Sequence, residues 1–62
     1  MNNEEIKEIK NVISLIAIKR KHGDSSMEVF IKFRETLEHL KAIGYDISEI
    51  EKNPLIKLRI TW

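Results

Sequence analysis

Ser25-Ser26-Met27-Glu28-Val29-Phe30-Ile31-Lys32-Phe33-Arg34-Glu35-Thr36-Leu37-Glu38-His39-Leu40-Lys41-Ala42-Ile43 forms the middle of the chain and carries its strongest helical pattern. Phe30, Phe33, Leu37 and Leu40 recur at 3-4-3 spacing, which places them on one stripe of an α-helix. Ser25 followed by Glu28 has the pattern of a capping box, which satisfies amide donors where a helix starts. Gly44, next after Ile43, can adopt the left-handed conformation that closes a helix. Start, stripe and stop agree on a helix over residues 25–43. Ile31 points away from its stripe, among Arg34, Glu35 and Glu38, and reads as a single exposed apolar residue.

Upstream, a first helix is expected over residues 4–22. Asn2 or Asn3 can cap it, Glu4 and Glu5 favour its positive end, and Lys19, Arg20, Lys21 and His22 its negative end. Gly23 follows as a stop signal. Ile6, Ile9, Ile13 and Ile16 repeat the 3-4-3 spacing, and the short Gly23-Asp24 connection makes the helices antiparallel neighbours. Val12, Leu15 and Ile18 lie on or beyond the edge of that stripe, so residues 12–18 are apolar nearly all round. A buried strand is the alternative there, because β-branched residues dominate the run.

Downstream, Asp46 and Glu49 form a second possible capping box, opening a short helix over 47–52 that buries Ile47 and Ile50. Asn53-Pro54 interrupts it. In residues 55–62, Ile56, Leu58, Ile60 and Trp62 alternate with Lys57, Arg59 and Thr61, the pattern of a half-buried strand. The alternative is a last helix with Asn53 as N-cap and Pro54 at its first position. If the segment is extended, its edge calls for pairing with another chain.

Length and composition narrow the function. Sixty-two residues make one domain with a small core, and the absence of cysteine removes disulfides and thiolate metal sites. Eleven isoleucines and five leucines weigh against disorder and towards burial against a second chain. Eleven basic and ten acidic residues leave a formal charge of +1, which gives no bulk attraction to nucleic acid or to an anionic membrane. The longest apolar run is too short to span a bilayer. The opening Met1-Asn2-Asn3-Glu4-Glu5 is acidic where a signal peptide is basic, so a cytoplasmic protein is expected.

No constellation supports catalysis. Ser25, Ser26 and Ser48 are accounted for by helix starts, and neither His22 nor His39 has a neighbouring Asp. Gly23 and Gly44 alone cannot make a phosphate-binding loop. Glu35 and His39 share a helix face, with Glu38 beside them, but two ligands make half a metal site. No enzyme activity, metal or cofactor is therefore expected.

In size and plan the expected hairpin resembles small dimeric four-helix bundles, a likeness of architecture that carries no function. The expected protein is all-α: an antiparallel helical hairpin, a short third helix and a C-terminal extended segment, two copies forming a four-helix-type bundle. The expected function is a non-enzymatic interaction module, acting as a regulator, inhibitor or immunity-type protein on a partner protein. Ile56, Leu58, Ile60, Trp62, Leu15 and Ile18 are its candidate contact residues, with Trp62 otherwise covering the open end of the core. The alternative is a nucleic-acid-binding regulator using Lys19, Arg20, Lys21, Lys57 and Arg59.

Overall fold

A computed structural model describes residues 2–52 and 54–62, and it shows a three-stranded antiparallel sheet whose first strand lies where a second long helix is expected to begin. The chain runs α1 (Asn3–Lys21), β1 (Ser26–Ile31), α2 (Arg34–Ile43), β2 (Asp46–Glu51) and β3 (Ile56–Thr61). Strand order is β1-β3-β2. Since β1 and β2 both run antiparallel to β3, they are parallel to each other, and α2 carries the chain across the strand between them.

α1 forms for the reasons its sequence supplies. Asn2 accepts a hydrogen bond from the Glu5 amide at 2.8 Å, and acidic and basic residues occupy the ends that the macrodipole favours. Gly23 turns the chain with φ 89°, its amide donating to the Arg20 carbonyl at 3.0 Å. The buried stripe differs from the expected one: Ile9, Val12 and Ile16 face the core, while Ile6 and Ile13 remain partly exposed on one shoulder. Leu15 and Ile18 stand on the other shoulder, exposed rather than packed inside a bundle.

The all-α expectation is overturned at residues 25–43: only Arg34–Ile43 is helical, and the fold is α+β. Ser26–Ile31 alternates, with Met27, Val29 and Ile31 towards the helices and Ser26, Glu28 and Phe30 on the opposite face. Its β-branched and aromatic residues suit a pleated surface, and β3 supplies the partner that makes the strand form. Ile31 is completely buried, not exposed. Ser25 and Glu28 form no capping box, because Glu28 pairs with Arg59 and Lys57 across the sheet. With no second long helix, the resemblance to a four-helix bundle falls.

The expected short helix over 47–52 is strand β2, in which Asp46 pairs with Thr61 and Ser48 with Arg59. Gly44 closes α2 with φ 117°, and the Tyr45 amide donates to the Leu40 carbonyl at 3.2 Å. The C-terminal segment is extended, as β3, but it is the central strand, so both of its edges are paired within the chain. Asn53, the expected interruption or N-cap, lies outside the described residues.

Both helices cover one face of the sheet. The core joins Val12 and Ile16 of α1, Met27 and Ile31 of β1, Leu37 and Leu40 of α2, and Leu58 and Ile60 of β3. Each such fully buried aliphatic side chain contributes about 1.5–3 kcal/mol over leaving it in water. No helix among the described residues is long and apolar enough to cross a membrane.

Candidate functional site: the β1 edge and its groove

The hydrogen-bond phase of β1 follows from its end. The Trp62 amide donates to the Ser25 carbonyl at 3.0 Å, one step beyond the Ser26–Thr61 pair, which makes Ser25 and Trp62 a hydrogen-bonded pair. By alternation, Met27, Val29 and Ile31 spend their backbone groups on β3. Ser26, Glu28 and Phe30 direct theirs to the open side of the sheet, where no strand among the described residues meets them.

That open row is closed at both ends. At one end the Glu8 carboxylate of α1 accepts from the Lys32 amide at 2.7 Å and the Phe33 amide at 3.1 Å. It also accepts from the Thr36 hydroxyl at 2.6 Å. Phe33, the N-cap position of α2, makes no side-chain cap, so Glu8 supplies from another helix the acceptor that α2 lacks locally. At the other end the Trp62 indole donates to the Asp24 carbonyl at 2.8 Å. Ser26, Glu28 and Phe30 form the window between.

Beside the window, α1 and β1 enclose an open groove of about 480 Å³. Val12 and Leu15 line it from α1, and Val29, Phe30 and Phe33 from the strand and the turn after it; Glu4, Lys7, Asn11 and Lys32 add polar groups. Leu15 is 41% exposed and Phe30 56%. On the solvent face of the sheet, Glu28 lies 2.9 Å from Arg59 and 3.5 Å from Lys57, and the Lys57 ammonium stands 5.6 Å from the centre of the Phe30 ring. The hydrogen bond from Arg59, aided by the charge of Lys57, holds the Glu28 carboxyl below its ordinary value of 4.5.

The other residues singled out from sequence are dispersed. Leu58 and Ile60 are fully buried in the central strand; Ile56 and Trp62 are half-buried against the same core. The fold itself uses that apolar row. Leu15 lines the groove and Ile18, 52% exposed, lies further along α1. Lys19, Arg20 and Lys21 end α1 on the helical layer, whereas Lys57 and Arg59 are ion-paired on the opposite face of the sheet, so they do not merge into one basic patch. His39 borders a smaller apolar cleft with Ile6, Ile9 and Ile13. Among the described residues, no group of three or more His, Asp or Glu is placed to hold a metal ion.

Sequence reasoning missed Glu8, Ser26, Glu28 and Phe30. The alternation of Met27, Val29 and Ile31 with Ser26, Glu28 and Phe30 was the available signal for β1. Nothing local marks Glu8 as a cap for residues so distant in the chain. No family model, curated protein or solved structure matches this chain.

Proposed function

We propose that this chain is a non-enzymatic interaction module that binds another polypeptide by strand addition at β1. The observation that carries the reading is the row of backbone groups at Ser26, Glu28 and Phe30 that no strand among the described residues takes up, beside a groove lined by both apolar and charged side chains. An added strand gains main-chain hydrogen bonds from the edge and side-chain contacts from the groove, the two ingredients of recognition by β-augmentation. Leu15 is a large apolar side chain left in water on the helical side of that edge, and Phe30 is another on its opposite face. Acting as a regulator or inhibitor then requires only occupancy of a partner's extended segment.

The test is selection of extended peptides on the intact chain, followed by residue-resolved amide exchange. The expected result is new protection at Ser26, Glu28 and Phe30, with binding lost in Leu15→Glu. Peptides that instead protect the shoulder bearing Ile6 and Ile13, or binding of nucleic acid at Lys19 to Lys21 that falls steeply with salt, contradict the reading.

A further inference from the structure

Resting on that reading, we infer that the strand taken up by β1 is β1 of a second copy, paired antiparallel about a twofold axis through Glu28. A twofold axis makes like surfaces meet, so the pairing must be self-complementary. The free window is symmetric about Glu28: Ser26 and Phe30 lie equally far on either side, and the flanking Asp24 carbonyl and Lys32 amide are already bonded. Centred on Glu28, the free groups of Ser26 meet those of Phe30 in the other copy, and Glu28 meets Glu28. Each of these is a hydrogen-bonded pair, exchanging two bonds. A shift towards Lys32 sets the strand against an amide that Glu8 occupies.

The side chains fit the same register. Two carboxylates directly opposite each other ordinarily repel. Here each is bracketed by Arg59 and Lys57 of its own chain, so the junction brings together two carboxylates and twice as many cations. On the helical face Met27 comes opposite Val29 of the other copy, and the two grooves join along the axis, covering Val29 and Leu15. The result is one continuous sheet with β1 no longer at an edge, which removes the hazard of an open apolar strand.

The chain contains no cysteine, so one engineered thiol reports the register cleanly. In a hydrogen-bonded antiparallel pair the Cα atoms lie about 5.5 Å apart, inside the ~4.4–6.8 Å range of disulfides. Glu28→Cys is expected to form a covalent dimer on mild oxidation, whereas Ser48→Cys, on the far strand, is not. The unmodified chain is expected to show twice the 7.3 kDa monomer mass when concentrated, with protection at Ser26, Glu28 and Phe30 that disappears on dilution. Glu28→Pro, which removes an outward amide and leaves the β3 ladder whole, should weaken association by about tenfold or more.

A 7.3 kDa mass at millimolar concentration, with exchange at those amides unaffected by dilution, overturns the inference. If a selected peptide still protects the window, strand addition stands and only the identity of the strand is wrong. If no peptide does so either, both fall.

Discussion

β1 and β2 flank the same central strand, and each presents one edge to solvent, yet the two edges are finished differently. β2 carries Asp46, Glu49 and Glu51, and a register irregularity between Glu49 and Glu51 breaks its ladder. Arg34 also clamps Glu49 from α2 through bonds of 2.9 and 3.2 Å. Charge and irregularity of this kind discourage another strand from docking. β1 has a regular register over its whole length, and Glu28, its only charged residue, is neutralised by cations of its own sheet. Among the described residues its edge is closed at one end by Glu8, and beyond the other end the Asp24 carbonyl is taken by the Trp62 indole. Exposure alone therefore does not make a binding edge; what matters is whether the backbone groups are left usable.

Disturbing the shared strand should erase the difference and have the largest effect. Leu58→Ala removes a fully buried side chain and is expected to cost about 2–5 kcal/mol in urea unfolding, exposing β1 and β2 together. A small change there would mean that the last segment is peripheral. Next, Gly44→Ala should act on the β2 side. No atom lies within 4 Å of an added Cβ, but φ of 117° is strained for any other residue, with an expected cost of ~1–2 kcal/mol. Amide exchange should quicken first around Tyr45 and β2.

Glu8→Ala should act on the β1 side. Losing the cap of α2 should cost ~0.5–2 kcal/mol and speed exchange at Lys32 and Phe33, leaving β2 unchanged. The smallest effect concerns acid. Arg59 lowers Glu28 and Arg34 lowers Glu49, each from an ordinary 4.5. A carboxyl lowered by folding lends stability above its unfolded pKa and loses it as pH falls through the folded one. Stability should therefore decline below about pH 4.5, and Arg34→Met should flatten the Glu49 share while leaving that of Glu28.

The residues that the sequence made legible are those whose signals are local. Asn2, Gly23 and Gly44 act within a few positions of themselves, and α1 and the alternation of Ile56 to Trp62 follow from simple periods. β1 was obscured by coincidence: Phe30 and Phe33 fall in helical phase with Leu37 and Leu40, although only the last two lie on a helix. A strand has no partner in its own sequence, and β3 became intelligible only when Met27–Ile31 and Asp46–Glu51 were available to pair with it. Ile31 was the warning, since a large aliphatic residue at an exposed helical position is fully buried once the period is two. Leu15 was legible as apolar surplus, but its groove and the Glu8 cap depend on packing between distant segments.

The most direct test of this account is amide exchange along residues 26–31 in dilute solution. Met27, Val29 and Ile31 should exchange slowly, near the rate of global unfolding, and Ser26, Glu28 and Phe30 quickly. Uniform protection across all six would contradict an open β1 edge, and uniformly fast exchange would contradict the strand itself.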